Sequence, residues 1–525
     1  MSVLTTGKLS RIIAGLTAAA LLVPLAACTS EPPAPATSSG PAGLDRFHQQ
    51  TLQWTNCDDY ATTETESTVI ALVDGLQCAR MKAPLSYDDP GGRTIEVAVA
   101  RHAAGGAKVG SLVTNPGGPG GSGVFGAATT VLGLEKAKSP LVERFDLVGF
   151  DPRGVGSTRP AVDCYTDAEA DRGEVALTTQ GTTVQWTEAD TRAVVERCAK
   201  DSGGPDALAH LGTRDVARDM DVLRVVLGDE KLTFLGQSYG TRLGAVYAEQ
   251  FPRNVRAMLL DGAIDSRQGT VERRVFAYTG FQAAFDRMAT FCASQDGCPI
   301  GRDPKKATAE FQKIVRPLYA EPVPALGGEL DFDGAVGGVI SGLYTQAAWP
   351  RIIKGLGQLR QGKGDELAQL GFDFSGRDAK GAWTNFAEAN YAINCMDEQR
   401  LSEQQGNELR AAIFTSAPFM DPGVDLTTGA RDGCEHWPAP PTLGFPYAQN
   451  VQGLPRTLVV SITGDPTTPH AGAVRLAESL GSALLTVRGE GHTIVTAGTN
   501  PCVDKAASDY LIDLEVPAAG ATCTL

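Results

Sequence analysis

Short apolar runs alternate with amphipathic segments in the first half of the chain and again near its C-terminus. Each run has the length and the composition of a buried strand. The predicted strands lie within residues 93–104, 110–123, 145–158, 231–238, 255–262, 456–465 and 482–489. Helical spacing occupies 213–228, where Thr213 is a plausible cap, and also 241–252 and 471–481. Strands that alternate with helices predict a mostly parallel sheet covered by helices on both faces.

The pattern changes between residues 266 and 450. Helical periodicity dominates there, with long connections that contain glycine and proline. We interpret this region as a large, mainly helical cap, inserted between two parts of one core, 46–265 and 451–525. The 525 residues of the chain are too many for one ordinary core, so the length alone predicts either one large domain with an insertion or two domains.

The N-terminus has the pattern of an export signal. Lys8 and Arg11 precede an apolar run that is short for a membrane span and contains Pro24. The run ends in Leu-Ala-Ala-Cys28, which resembles the bacterial lipoprotein box, in which the cysteine is lipidated and becomes the mature N-terminus. We therefore predict a signal peptide over 1–27 and a lipid-anchored tether over 28–45, which places an exported protein at the cell membrane. The alternative is an ordinary signal peptide that happens to end in cysteine.

The other cysteines fit an oxidising compartment. The chain has eleven cysteines, and removing Cys28 leaves an even number. Pairing between sequence neighbours is the simplest arrangement. It gives Cys57–Cys78, Cys164–Cys198, Cys292–Cys298, Cys395–Cys434 and Cys502–Cys523. A metal site is the rival interpretation, but we find no C-x-x-C and no Cys/His cluster at ligand spacing, so we expect no metal.

Composition and charge narrow the range of partners. Apolar residues make up 42% and charged residues 20% of the chain, as in a globular protein, and the net charge of −15 argues against a nucleic-acid partner. Gly118, Gly120 and Gly123 match a dinucleotide-binding spacing, but Pro119 makes the turn unlike that fingerprint, and we expect no cofactor. We also expect a monomer that meets the membrane only through its N-terminal lipid.

The segment "TFLGQSYGTRLG" carries the first candidate chemistry. Gly236, Ser238 and Gly240 lie between a predicted strand and a predicted helix. A sharp strand-to-helix turn would hold Ser238 in a strained conformation, and the two glycines would keep neighbouring side chains clear, as in a nucleophile elbow. The alternative is a structural serine in a strand-to-helix turn.

A nucleophilic serine needs a histidine base and an orienting carboxylate. The order serine, acid, histidine found in α/β-hydrolases excludes the three histidines upstream of the serine. His492 lies in a small-residue loop after a strand, whereas His470 is better suited to starting a helix. Asp465 ends a strand and is favoured as the acid over Asp261, which ends the strand after the serine helix. Thr468 either supports Asp465 or His492 or only caps the turn.

Acyl transfer also needs amide donors for the oxyanion. The loop "NPGGPGG" follows an early strand, where α/β-hydrolases place one donor. We predict the N–H of Gly118 as one donor and the N–H of Tyr239 as the second.

These segments together resemble the tripeptidyl aminopeptidase-like branch of the α/β-hydrolases, which includes actinobacterial cell-envelope serine hydrolases called carboxylesterase A and is related to prolyl aminopeptidases. The matching segments are "NPGGPGGSG", "FDLVGFDPRGVGSTRP", "KLTFLGQSYGTRLG", "AMLLDGAID", "AINCMDEQ", "TGDPTTP" and "GEGHT". The resemblance implies an α/β-hydrolase fold, the triad Ser238, Asp465 and His492, and a substrate amine held by cap carboxylates. By position, Asp397 and then Glu398 are the candidates, unless these carboxylates only bond backbone near the Cys395–Cys434 bridge.

The sequence leaves three candidate functions, the third from a different class than the first two. An exopeptidase would release short, tripeptide-like N-terminal peptides through an acyl-enzyme on Ser238. An esterase or lipase would use the same triad on acyl esters. A binding protein on an inactive hydrolase scaffold would lack a triad residue, and none is missing here.

Overall fold

A computed structural model describes residues 43–174, 183–326 and 328–525 of the protein. The predicted signal peptide, Cys28 and the tether as far as residue 42 lie outside the described residues. Within the described ranges, no helix combines the length and the apolar character needed to cross a membrane.

Strands in the described ranges form one large sheet and one small hairpin. Their bounds are β1 (Gln77–Pro84), β2 (Thr94–His102), β3 (Gly110–Asn115), β4 (Phe145–Phe150), β5 (Leu232–Gln237), β6 (Val255–Asp261), β7 (Val323–Ala325), β8 (Gly328–Leu330), β9 (Leu458–Gly464), β10 (Ala483–Glu490) and β11 (Thr522–Thr524). The large sheet has the order β1-β2-β4-β3-β5-β6-β9-β10-β11, and β7 and β8 form the hairpin. In the large sheet, β2 is antiparallel to β1 and β4, and the other neighbouring pairs are parallel. The predicted mostly parallel sheet is confirmed.

Helices of the described ranges fill the connections between these strands. They are α1 (Asp45–His48), α2 (Glu64–Ala71), α3 (Gly123–Lys136), α4 (Leu141–Arg144), α5 (Asp167–Asp171), α6 (Glu188–Asp201), α7 (Pro205–Leu208), α8 (Thr213–Val226), α9 (Tyr239–Gln250), α10 (Thr270–Ala293), α11 (Ala307–Val315), α12 (Phe332–Leu343), α13 (Trp349–Leu359), α14 (Asp365–Ser375), α15 (Phe386–Asp397), α16 (Glu403–Ser416), α17 (His470–Leu480) and α18 (Pro501–Asp513).

Both faces of the sheet are buried. In β2, Val97 and Val99 enter one apolar layer, whereas Ala98 and Ala100 enter the other. α8, α9 and α17 cover the first layer, and α3 and α18 cover the second. A strand covered on both sides is apolar at nearly every position, which is why β4 is buried throughout and why the sequence shows continuous apolar runs.

A third apolar core lies within residues 266–450. α10–α14 and α16 build it around the rings of Phe285, Phe311 and Phe419, which pack against one another. α15 differs from these helices, because its buried residues, Tyr391 and Ile393 among them, belong to the first layer of the sheet. The inserted region is therefore mainly helical, as expected, but α15 packs with the sheet core and carries its C-terminal end towards α8 and α9.

Five disulfides join the ten described cysteines. The pairs are Cys57–Cys78, Cys164–Cys198, Cys292–Cys298, Cys395–Cys434 and Cys502–Cys523. They are the pairs that neighbour pairing predicts. The last of them ties α18 to the short strand β11, which has only three residues to hold it in the sheet.

Gly123 provides a test of how closely α3 packs on the sheet. A Cβ at this position would lie 1.9 Å from the carbonyl oxygen of Phe150 in β4. We expect Gly123→Ala to destabilise the protein by about 1–3 kcal/mol, because the helix must move away from the strand. Thermal unfolding with the disulfides intact would show a lower Tm.

Gly337→Ala is the matched control for Gly123→Ala. Gly337 lies in α12, and a Cβ there would meet nothing within 4 Å. This change should leave the Tm unchanged or raise it slightly, since alanine favours a helix by about 1 kcal/mol over glycine. Equal Tm values for both variants would contradict the close approach of α3 and β4.

Candidate active site

Ser238 lies at the turn between β5 and α9. Its backbone has φ 54° and ψ −121°, which is a strained conformation for a residue with a side chain. A Cβ at Gly236 would lie 2.2 Å from the carbonyl oxygen of Gly240, and a Cβ at Gly240 would lie 2.7 Å from that of Asn115. Both glycines are therefore needed for the sharp turn, which has the geometry expected of a nucleophile elbow.

Hydrogen bonds hold this turn in place. The N–H of Ser238 donates to the carbonyl oxygen of Asp261 at 2.9 Å. The carbonyl oxygen of Ser238 accepts from the N–H of Thr241 at 2.8 Å and from its hydroxyl at 2.6 Å. Because the backbone is tied to β6 and to the first turn of α9, the strain at Ser238 is sustained by its surroundings.

His492 and Asp465 form a buried pair at the carboxyl ends of β10 and β9. Nδ1 of His492 lies 2.8 Å from Oδ2 of Asp465. Asp465 also accepts from the N–H groups of Thr467 and Thr468 and, at 2.9 Å, from the hydroxyl of Thr468. Burial lowers the pKa of His492, but the charge and hydrogen bond of Asp465 outweigh it, so the pKa is raised above its ordinary value.

The hydroxyl of Thr468 contacts both Asp465 and His492. Its hydroxyl donates to Asp465 and lies 3.3 Å from Nδ1 of His492. The residue is 7% exposed and lines the same cavity as His492. Of the two interpretations drawn from the sequence, the geometry favours support of the acid and the base over a simple turn cap.

The other ring nitrogen of His492, Nε2, is free to accept a proton from Ser238. Nε2 is buried and has no hydrogen-bond partner among the described residues. Ser238 and His492 line one cavity of about 670 Å³. In enzymes without substrate, the contact between nucleophile and base is often long and tightens on binding. The structure thus places Ser238 and His492 on one cavity, with Asp465 bonded to the far nitrogen of the imidazole.

Asp261, the rival acid, has a different partner. Its Oδ2 accepts from the N–H groups of Ile494 and Val495 at 2.7 and 2.8 Å. Burial raises the pKa of this carboxyl to about 6, although the two N–H donors act against the shift. Asp261 therefore fixes the backbone that follows His492 and does not orient the imidazole. His470, the rival base, begins α17, and its Nδ1 lies 3.0 Å from the hydroxyl of Ser461.

The cap reaches the backbone of the base. The N–H of His492 donates to the carbonyl oxygen of Tyr344 at 3.0 Å, just after α12. The ring of Tyr344 also meets the imidazole edge to face, with 5.3 Å between ring centroids. Sequence reasoning missed this contact, because no motif marks Tyr344.

The expected oxyanion donors lie beside Ser238. Tyr239 is the first residue of α9, so its N–H has no acceptor within the helix. Gly118 lines the same cavity as Ser238. A Cβ at the neighbouring Gly117 would lie 2.9 Å from Cβ of Ser238, and the N–H of Gly117 is held by the side chain of Asn115 at 3.1 Å. The glycine loop therefore passes directly beside the serine.

Comparison with known proteins agrees with this geometry. The chain is 40% identical to serine protease Hip1 of Mycobacterium tuberculosis over 489 residues, which cover 90% of this chain and 91% of that protein. It is 37% identical to carboxylesterase B of the same organism over 505 residues, covering 95% and 94% of the two chains. The chain belongs to the tripeptidyl aminopeptidase-like α/β-hydrolases. It is a serine hydrolase.

Two further similarities support membership of this branch. Residues 422–523 match the family model described as "TAP-like protein". The tripeptidyl aminopeptidase of Streptomyces lividans is 29% identical over 465 residues, which cover 85% of this chain and 83% of that enzyme.

Asp397 and Glu398, the expected amine ligands of this hydrolase, do not line the cavity. Asp397 accepts from the N–H and the hydroxyl of Thr213 and from Arg242 at 3.3 Å. Glu398 is paired with Arg273 and Arg274. Because both carboxylates are buried behind arginines, neither is free to meet a substrate amine. Thr213 itself is the first residue of α8 and not its cap, which is Gly212.

The cavity wall of this hydrolase combines aromatic side chains with arginines. The aromatic residues are Tyr239, Phe276, Tyr278, Phe281, Tyr344, Phe374 and Phe386. The arginines are Arg242, Arg273 and Arg274, and the carboxylate on the wall is that of Asp265, which is bonded to Arg475. The sequence contained a weak signal for these arginines, since Arg242 follows Ser238 by four residues and Arg273-Arg274 is a basic pair in an apolar helix.

Proposed function

We propose that Ser238 is the nucleophile, His492 the general base and Asp465 the orienting acid of a peptidase that removes short peptides from the N-terminus of its substrates. One observation carries this proposal. Ser238, in a strained turn, and His492, whose imidazole is bonded to the buried Asp465, line a single cavity of about 670 Å³. A cavity of this size accommodates a small ligand such as a short peptide, and not a folded chain.

The reaction proceeds in two acyl-transfer steps. Oγ of Ser238 attacks the peptide carbonyl carbon while its proton moves to Nε2 of His492. The N–H groups of Gly118 and Tyr239 bind the oxyanion, and the imidazolium then gives its proton to the departing amine as the C–N bond breaks. In the second step, His492 removes a proton from water and the hydroxide attacks the acyl-enzyme. The imidazolium then returns this proton to Oγ of Ser238 as the acyl–Oγ bond breaks, and the short peptide leaves with its new carboxylate.

A second candidate is an esterase that uses the same triad. The aromatic wall at Phe276, Phe281, Phe374 and Phe386 would accept an apolar acyl chain, and one relative is named carboxylesterase B. The deacylation step is the same for both substrates, so the triad does not distinguish them.

Turnover of matched substrates distinguishes the two candidates. Peptides of one to four residues with a free or a blocked N-terminal amine would be compared with short and long acyl esters, with Ser238→Ala as the inactive control. The peptidase proposal expects release of short peptides that depends on the free amine. Equal turnover of free and blocked peptides would reject removal of peptides from the N-terminus, and turnover of esters alone would favour the esterase.

The pH dependence of kcat/KM follows from the environment of His492. The imidazole must be neutral to accept the proton of Ser238, and its pKa is raised above about 6.5 by Asp465 and Asp261. Activity is therefore expected to be low in acid and to rise with pH through a midpoint above 6.5. Initial rates at subsaturating substrate, with unfolding checked at each pH, measure this midpoint. A midpoint at or below 6.5 would contradict the charged Asp465–His492 pair.

We also propose that the enzyme is exported and held at the membrane by a lipid on Cys28, and that it acts as a monomer. The Leu-Ala-Ala-Cys28 segment and the five disulfides support this location. Growth with a clickable palmitate should label the wild-type protein and not Cys28→Ser. Labelling of both proteins, or of neither, would reject the lipid anchor, and light scattering of the purified protein would test the monomer.

A further inference from the structure

Three arginines form a cluster on the cavity wall. Arg273 and Arg274 lie near the start of α10, and Arg242 lies in the first turns of α9. All three line the cavity that contains Ser238. Their carboxylate partners, Asp397 and Glu398, do not line it and have side chains that are 0% and 4% exposed. The guanidinium groups therefore stand between the cavity and the carboxylates.

The cluster carries an excess of positive charge. Three guanidinium groups face two carboxylates, and arginine keeps its charge in proteins. Asp265 also reaches the cavity, but Arg475 is its ion-pair partner and cancels its charge. Behind the cluster, Arg400 and Asp432 interact electrostatically and add one charge of each sign. One positive charge at the cavity wall thus remains without a counter-charge from these neighbours.

Hydrogen bonding in the cluster is also incomplete. Nε of Arg242 and Nε of Arg273 are buried and have no partner among the residues that the structure describes. Repulsion by Arg242 and Arg274 adds to burial in lowering the pKa of Arg273. A buried charge without full compensation is unfavourable, so an anion that enters the cavity would be bound with a gain in stability.

The cluster lies close to the reacting atoms. Arg242 follows Ser238 by four residues of α9, which corresponds to about 6 Å along the helix axis. Because Ser238 and all three arginines line the same cavity, a short peptide held at Ser238 can place one of its groups at the cluster. A free amine would be repelled at this position.

We propose that the cavity recognises a carboxylate of the substrate through Arg273 and Arg274, with Arg242 adding to the positive field. The inference rests on the proposed peptide hydrolysis and specifies its substrate class, which is short peptides that carry a negative charge near the scissile bond. Arginine suits this role because its planar fork can bind both oxygens of a carboxylate. The carboxylate has two sources, an acidic side chain or the free C-terminus of a short peptide.

Two matched pairs of short peptides test the proposal and separate the sources. One pair differs by Glu or Gln at a single position, with both C-termini amidated. The other pair has a neutral sequence with a free or an amidated C-terminus. We expect the wild-type enzyme to favour the charged member of at least one pair by tenfold or more in kcat/KM, since charge-assisted hydrogen bonds of this kind discriminate by roughly that factor.

Arg273→Gln and Arg274→Gln, made singly, should each lower this preference by about tenfold. Glu398 keeps one guanidinium partner in either variant, which protects the fold. The preference is a ratio within one variant, so any general loss of activity cancels. Arg302→Gln is the matched control, because Arg302 is an exposed cap arginine paired with Asp296 and does not line the cavity. This control should keep the wild-type ratio.

Binding to Ser238→Ala separates this proposal from the proposed function. Calorimetry with the same four peptides measures recognition without turnover. If wild-type enzyme reacts with a fluorophosphonate but cleaves no peptide, peptide hydrolysis is rejected, while tighter binding of the charged peptides still supports the carboxylate site. The carboxylate-site proposal would be overturned by equal affinity for both members of both peptide pairs. A preference for the charged peptides that is unchanged in both arginine variants would overturn it as well.

Discussion

Replacement of Ser238 by alanine is expected to lower kcat by about a million-fold, the order found when the nucleophile of a serine hydrolase is removed. The change deletes the atom that would form the acyl-enzyme in the proposed reaction and leaves the Asp465–His492 pair intact. The strained turn should persist, because alanine has the same Cβ and the hydrogen bonds at Ser238 come from its backbone. The folded structure is therefore retained.

Two measurements check this prediction. Burst kinetics with an activated ester give kcat, and a fluorophosphonate reports covalent modification of the serine. Ser341→Ala is the matched control, because Ser341 lies in α12 of the cap and its hydroxyl only donates to the carbonyl oxygen of Gly337. Activity of Ser238→Ala within a hundredfold of the wild type would show that another group is the nucleophile.

Asp465→Asn should have the second largest effect, a fall in kcat of about ten thousand-fold. The carboxylate accepts from two backbone N–H groups and the Thr468 hydroxyl while it binds Nδ1 of His492. An amide cannot accept at all of these positions. Its NH₂ group would either face the backbone donors or face Nδ1 and force the imidazole into the wrong tautomer, in which Nε2 carries a proton and cannot act as base.

Asp261→Asn provides the comparison that decides between the two acids. Asp261 bonds the backbone of Ile494 and Val495 and not the ring of His492. Its replacement should cost at most about a hundredfold in kcat, the size of effect expected from a small displacement of the base. Single-turnover acylation rates of both variants provide the measurement. A larger loss for Asp261→Asn than for Asp465→Asn would make Asp261 the orienting acid.

Apolar runs predicted the centre of the sheet, but not its edges. The seven predicted strands are present, because strands buried on both faces leave a continuous apolar signal. β1 was missed, since Arg80 and Lys82 interrupt its pattern at the sheet edge. β11 was missed as well, because three residues carry no periodicity and a disulfide fixes their position.

In the candidate site, too, some residues could be predicted from the sequence and others could not. Ser238, Asp465 and His492 could be named in advance because their chemistry depends on order along the chain and on strand ends. The cavity wall could not, because α10, α12, α14 and α15 meet there only after the cap folds. Asp397 illustrates the difference, since its place beside Thr213 and Arg242 depends on α15 leaving the cap and packing on the sheet core.

The bond between His492 and Tyr344 has a consequence for the timing of catalysis. A cap displaced far enough to admit a long chain would withdraw the carbonyl of Tyr344 and release the backbone that aligns the imidazole. Substrate entry and proton transfer from Ser238 to His492 would then be separate steps of the catalytic cycle. A long polypeptide that kept the cap displaced would also keep the imidazole of His492 out of alignment. The enzyme would then not cleave long chains, even when they reach Ser238.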